Sequence, residues 1–256
     1  MVRMLAVVEG YLVNYRRTWR GSVLGSFVLP VLIVVGFGVG VGRFVDAGGR
    51  LGPVRYLDYL IPGQIAFAAV NVAFFESAWP VIGRFRWTRV YDAMVATPLR
   101  TVDLIGGELL FIVARALLTT VVFLCVAAAF GTVHSPWSLA VPLVCALLAL
   151  AVAAPVHAFA ARLDNDSYFT LLMRFILIPA WLFSGVYFPV TAVPEALRWL
   201  AYALPLWHAV DLCRAATLAG GGLSVGVVLG HVGYLCLWAL VGFGLALRAY
   251  RQRLTL

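Results

Sequence analysis

The sequence predicts an all-α integral membrane protein with six transmembrane helices, preceded by an amphipathic helix and interrupted by two non-spanning helical segments. Three observations carry this. First, the 256 residues are 63% apolar and only 12% charged, with a mean hydropathy of +0.98. A water-soluble domain holds about 45–50% apolar and about 25% charged residues. Second, apolar runs recur near residues 21–42, 59–83, 103–130, 137–161, 167–188 and 224–247. Each is long enough to cross about 30 Å of hydrocarbon as a helix. Third, Pro30, Pro62, Pro80, Pro142, Pro155 and Pro179 lie in or beside these runs, which membranes tolerate because neighbouring helices satisfy the freed backbone groups. Residues 1–256 are expected to form one transmembrane domain.

All 19 basic residues are Arg, and no Lys occurs. A GxxxxGK[ST] phosphate loop, a Schiff-base Lys and a Ser–Lys dyad are therefore excluded. If ATP drives this protein, another polypeptide binds it. Arg placement orients the chain. Twelve Arg flank the N-terminal side of the membrane, from Arg3 to Arg253, whereas Arg43, Arg50, Arg55, Arg198 and Arg214 flank the other. Both ends are thus expected in the cytoplasm, with the basic loop at Arg43, Arg50 and Arg55 outside. The four Cys (Cys125, Cys145, Cys213, Cys236) have no CxxC spacing and read as small packing residues. Glu9, Asn14, Arg16, Arg17 and Arg20 break the apolar run that a cleavable signal peptide needs.

The non-spanning segments are the more informative. Within residues 1–20, Met4, Leu5, Val8, Tyr11, Leu12, Tyr15 and Trp19 recur at three- and four-residue steps. They mark one helical face, as in a helix lying in the membrane interface or against a soluble partner. In residues 84–98, Trp87, Val90, Tyr91, Met94 and Val95 mark one face of a short helix that Pro98 closes, with Arg84, Arg86, Arg89 and Asp92 largely opposite. Aromatic and Met side chains beside Arg suit a groove on a partner protein, with a plain interfacial helix as the alternative. Residues 189–217 are too apolar for a loop and too broken by Pro189, Pro194 and Pro205 for a span. Two short helices near 194–203 and 207–217 would form a re-entrant hairpin, with Gly220–Gly222 as a flexible turn into the last span.

No HExxH, GxSxG, acidic metal run or Cys/His cluster occurs, so no metal site or catalytic residue is expected. His134, His157, His208 and His231 are scattered. Gly36/Gly40, Gly38/Gly42 and Gly21/Gly25 suit close helix packing. Ionisable residues within spans are costly and mark candidate sites: Glu76, Glu108, Arg115 and Arg174. Glu108 and Arg115 are seven apart and share a helical face, so the geometry allows a Glu76–Arg115 pair, with or without Glu108, either as a structural tie or as a substrate contact. Phe67, Asn71, Phe74, Phe75, Trp181 and Phe183 are candidate cavity-lining residues.

Four stretches, in order, resemble the permease subunits of type-2 ABC transporters, nearest the branch of nodulation-factor and daunorubicin-type exporters: RRTWRGSVLGSFVLPVLIVVGFGVGVG, YLIPGQIAFAAVNVAFFES, RVYDAMVATPLRTVDLIGGELL and SGVYFPVTAVPEALRWLAYALPLWHAVDLCR. The resemblance implies two permease chains, as homodimer or heterodimer, assembled with two copies of a separate ATP-binding subunit that carries the ATP and Mg. It assigns residues 84–98 as the coupling helix and 1–20 as an interfacial helix that together transmit ATP-driven closure. It implies export of an amphipathic drug, lipid or lipid-linked glycan across the bacterial cytoplasmic membrane, with membrane lipids but no nucleic acid as further partners. An ion-coupled secondary transporter using Glu76, Glu108 and Arg115 is the alternative. It would show inverted repeats, and none is evident. A lipid-acting enzyme would need paired acidic residues, for which only Asp164 and Asp166 come close.

Overall fold

The structure is a computed structural model that describes residues 2–49, 54–218 and 222–254. Arg50 and the turn glycines Gly220 and Gly221 lie outside the described residues. All regular structure among the described residues is helical. Helix α1 (Val2–Ile33) passes through a π-helical stretch (Val34–Val41) into α2 (Gly42–Ala47). Helices α3 (Tyr56–Ser77) and α4 (Trp79–Arg86) meet at a kink at Ala78, and α5 (Val90–Val95) follows a short turn. Then come α6 (Thr101–Ala129), α7 (Val141–Ala160), α8 (Ser167–Leu172) and α9 (Ile178–Phe183). Helices α10 (Glu195–Ala203) and α11 (Pro205–Thr217) precede α12 (Val225–Leu254).

Five stretches are long and apolar enough to cross a membrane: Val28–Ala47, Tyr56–Arg86, Thr101–Ala129, Pro136–Ala160 and Val225–Leu254. Four match the expected runs within a few residues at most ends, and the last continues seven residues further. The first begins seven residues later than expected. The run expected at 167–188 is helical only over Ser167–Phe183, about 25 Å of helix at 1.5 Å per residue, because Ser184 to Pro189 leave the helix around Gly185 at φ 77°.

The sequence pattern makes residues 1–20 a helix of their own, but α1 runs on unbroken to Ile33. No proline intervenes before Pro30 to stop it, and Gly10 and Gly21 are carried within the helix. Its N-terminal part lies on α6 through Val7, Tyr11 and Tyr15, which pack with Phe111. Leu5, Leu12 and Trp19, expected on that face, are exposed on the other side.

The core is formed by α3, α6, α7 and α12, with α11 laid across α3 and α7. Long buried rows of Ala (Ala66, Ala69, Ala73 on α3; Ala149, Ala153, Ala160 on α7) allow these helices to approach closely. Glycine does the same at two crossings. A Cβ on Gly107 would lie 2.7 Å from Val7 Cβ, and one on Gly242 would lie 2.5 Å from Pro155 Cδ. The expected small-residue pairs contribute less: Gly38 and Gly42 touch Leu57 and Tyr56, while Gly21, Gly36 and Gly40 face open space.

Replacing Gly242 with Ala should wedge α12 from α7, costing about 1–3 kcal/mol as overpacking does. The thermal unfolding midpoint of the detergent-solubilised chain should fall, while Gly230→Ala, which meets open space, should leave it unchanged.

Candidate functional site

The segment expected to contact a partner leaves α4 at Arg86, turns through Trp87–Arg89 and forms α5. Arg89 sits in the left-handed region at φ 47°, the one non-glycine residue among those described to do so. That conformation is costly for a side chain with a Cβ and clusters at functional segments. It turns the chain sharply back so that α5 lies on the bundle end. The apolar face of α5 then points inward, as for any amphipathic helix on an apolar body. Tyr91 is fully buried, and Val90 and Met94 are half-buried. This corrects the expectation that Tyr91 and Met94 face a partner. The outward face comprises Arg89, Asp92, Ala93 and Val95, flanked by Trp87 at 68% exposure. Pro98 ends the segment, and its carbonyl accepts from Arg3 Nη1 at 2.7 Å, tying the start of α1 to it.

Beneath α5 lies a buried polar centre around Glu108 of α6, which is 2% exposed. Oε1 accepts from the Tyr91 hydroxyl at 2.6 Å, Arg84 Nη1 at 3.0 Å and the Tyr11 hydroxyl. Oε2 accepts from the Tyr250 hydroxyl at 3.2 Å and has His157 Nε2 at 3.3 Å. Six helices therefore converge on one carboxylate: α1, α4, α5, α6, α7 and α12. Burial, and then the carboxylate itself, push the Tyr11 and Tyr91 hydroxyls well above the ordinary phenol range. Both keep their protons and remain donors. Rings frame the centre, with Phe85 edge-on to Tyr91 at 4.5 Å and to Tyr250 at 4.9 Å, and the Arg84 guanidinium 4.3 Å over Tyr11.

Arg84, expected on the partner-facing side, is thus turned inward as Glu108's counter-charge. Glu108 accordingly does not join Glu76 and Arg115, which pair with each other, Arg115 also lying 5.0 Å over the Tyr15 ring. The seven-residue spacing of Glu108 and Arg115 does give them one face of α6, but about 10 Å of rise along the helix separates them. Arg174 is exposed in a π-helical stretch (Met173–Leu177), with no carboxylate at ion-pair distance among the described residues. It is not part of an intramembrane pair. Tyr11, His157 and Tyr250 carry no site signal of their own in the sequence. The signal that points to them is the buried carboxylate itself, which cannot persist in an apolar helix without donors.

A second charged cluster joins the same end. Arg86 pairs with Asp164, and Arg253 Nη1 donates to the carbonyls of Ala161 and Leu163 at 2.7 and 2.8 Å while its guanidinium covers Phe85. Asp164 is thus an exposed carboxylate that meets Arg86 at the surface.

Of the cavity candidates, Phe67, Asn71 and Trp181 line one cavity of about 380 Å³ together with Phe37, Gln64 and Tyr187. Phe67 and Trp181 stack at 5.1 Å. The Gln64 Nε2 and Trp181 Nε1 donors are buried without a hydrogen-bond partner, although the Tyr187 hydroxyl stands close to both. The other three do not line it. Phe74 is packed in the core beside a separate apolar cavity, Phe75 is 44% exposed and stacks on Trp79, and Phe183 is half-buried on α9.

The family model for ABC-2 type transporters matches residues 3–218. The chain is 32% identical over 250 residues to nodulation protein J of Rhizobium leguminosarum bv. viciae, covering 98% of this chain and 94% of the relative. It is 33% identical to the protein of the same name from R. leguminosarum bv. trifolii, covering 98% and 93%. Against that of Sinorhizobium fredii (strain NBRC 101917 / NGR234) it is 30% identical, covering 98% of both. The chain therefore belongs to the ABC-2 type transporter family. It is a multi-pass permease of the bacterial membrane, of the exporter kind.

Replacing Glu108 with Ala removes the 2%-exposed member of the pair, leaving the half-buried Arg84 without its counter-charge and the Tyr11, Tyr91 and Tyr250 hydroxyls without their acceptor. Breaking one partner of such a pair costs about 3–5 kcal/mol. Glu76→Ala, whose side chain is 25% exposed, should cost distinctly less. Urea- or heat-unfolding of both variants in one detergent measures the difference.

Proposed function

We propose that this chain is the membrane-spanning subunit of an ATP-driven exporter, powered by two copies of a separate ATP-binding subunit and paired with a second permease chain. The observation that carries the reading is the packing of α5. Its outer face of Arg89, Asp92, Ala93 and Val95, with Trp87 beside it, is exposed, while its inner face is bound through Tyr91 to Glu108 and thereby to five other helices. A push on this segment is carried into α1, α6, α7 and α12 through one hydrogen-bonded centre. The whole chain acts as one transport domain, with residues 84–98 as the coupling helix. The absence of Lys supports division of labour, since a phosphate-binding loop must then lie on another polypeptide.

In this reading the chain itself binds neither ATP nor Mg. Both ends lie in the cytoplasm, Ser167–Phe183 completes a sixth crossing with the residues that follow it, and α10–α11 form a re-entrant hairpin at the outer face. Apolar side chains would let the hairpin enter the leaflet, and its α11 arm packs on α3, α7 and α12. The substrate is an amphipathic drug, lipid or lipid-linked glycan. The cavity at Phe67, Asn71 and Trp181 suits it, offering stacked rings and the N–H groups of Gln64 and Trp181 beside the Tyr187 hydroxyl.

Purifying the tagged chain gently from its native membranes, with mass spectrometry of what accompanies it, tests this. A stoichiometric subunit bearing a phosphate-binding loop is expected, together with lipids. A chain that is reproducibly alone in an intact preparation would instead favour an ion-coupled transporter using Glu76 and Arg115. Reversing the outer charge with Asp92→Arg and adding bulk with Ala93→Trp should cut recovery of the partner about tenfold or more, as loss of about 1.4 kcal/mol per decade implies. Thermal stability of the chain should be unchanged, because neither side chain is buried.

A further inference from the structure

At the opposite end from Glu108, α11 and the start of α12 are joined by a line of polar contacts that the transport reading does not use. His208 Nε2 stands 3.0 Å from the Tyr202 carbonyl, His208 Nδ1 stands 2.8 Å from His231 Nδ1, and His231 Nε2 stands 3.3 Å from Asp211 Oδ2. Trp207 lies edge-on to both imidazoles, and the Tyr234 ring stacks on His208 at 4.0 Å. His231 is 7% exposed.

The number of protons in this line follows from its geometry. A carbonyl only accepts, so His208 Nε2 carries a hydrogen. Two imidazole nitrogens 2.8 Å apart share one hydrogen between them. The His231–Asp211 contact sets a ring nitrogen against a carboxylate oxygen, so it too requires one. The three contacts need three hydrogens, while two neutral imidazoles and an ionised carboxylate supply two. We infer that His208, His231 and Asp211 form a proton-binding site that holds one additional proton, and that this proton latches the α10–α11 hairpin to α12.

The site fails in two directions. Loss of the extra proton sets a His231 lone pair against the Asp211 carboxylate. Gain of a further one sets two N–H groups against each other between the rings. Burial holds His208 below the usual imidazole value, with the neighbouring His231 acting in the same direction. The neutral His208 that the latch requires therefore persists above that usual value, and the latch opens only as pH falls through the lowered one. The remaining titratable and charged groups close to this line are Arg214 on α11 and Tyr59 on α3, which both interact with Asp211, and the Tyr234 hydroxyl, which donates to the Ala203 carbonyl at 2.7 Å.

Hydrogen–deuterium exchange of the full chain in lipid nanodiscs, with its copurified subunits, tests the site. Opening of residues 205–217 and 225–235 is followed from about pH 5 to 9 after correction for intrinsic exchange, with residues 101–129 as reference. The wild type should show a protected window with an acidic and an alkaline limb, each steepening toward about tenfold per pH unit, as one linked proton requires. His208→Gln retains an amide that can donate to Tyr202 and accept from His231, so it should abolish the acidic limb alone. Asp211→Asn can donate to the unprotonated His231, so it should abolish the alkaline limb alone. A flat wild-type profile, or either limb surviving the substitution that should remove it, overturns the inference. The readout does not depend on ATP or transport, so its failure is distinct from failure of the exporter reading.

Discussion

One buried carboxylate organises the end of this molecule where coupling would occur. Glu108 has no water to solvate it, so its charge must be met by donors from whatever packs around it. Those donors are the hydroxyls of Tyr11, Tyr91 and Tyr250 and the Arg84 guanidinium, with the His157 ring packed alongside. Each arrives on a different helix. The geometry of α1, α5 and the end of α12 is thereby fixed relative to α6, because displacing any one of them leaves a polar atom unsatisfied in a low-dielectric interior. Apolar packing alone would permit sliding in small steps, whereas directional bonds to two oxygens permit few arrangements.

This constraint explains the form of the segment between α4 and α6. The chain must leave α4 at Arg86, return within three residues and present Tyr91 to Glu108. The left-handed backbone at Arg89 is how it does so. Once Tyr91 is committed inward, helical periodicity commits Arg89, Asp92 and Ala93 outward. The ties from Arg3 to Pro98 and from Arg253 to the carbonyls of Ala161 and Leu163 bring both termini of the described chain to the same surface. The surface around α5 is therefore assembled from distant parts of the sequence.

Much of this architecture is legible in the amino-acid sequence. Hydropathy locates most of the spans, since hydrocarbon thickness leaves little choice of helix length, and proline spacing locates α10 and α11. Amphipathic periodicity identifies the segment around Tyr91 but assigns its faces only in part: Trp87 and Val95 face outward, whereas Tyr91 and Met94 turn inward. An apolar stripe says that a face is covered, not whether the chain itself or a partner covers it. The Glu76–Arg115 pair is readable because both residues are costly where they stand. The partners of Glu108 are not, because Tyr and His are ordinary in a membrane sequence and their convergence depends on helix rotation. The continuity of α1 is hidden for a related reason: a change from amphipathic to uniformly apolar sequence changes the surroundings of a helix without breaking it.

The all-Arg composition has a consequence for how this protein can fail. A buried lysine that loses its partner can shed its proton and survive as a neutral amine, whereas a guanidinium stays charged. Arg84 and Arg115 have no such exit, so damage to their carboxylates cannot be softened by titration. Sequence drift around these positions should consequently proceed in coordinated pairs, with acid and guanidinium replaced together or kept together.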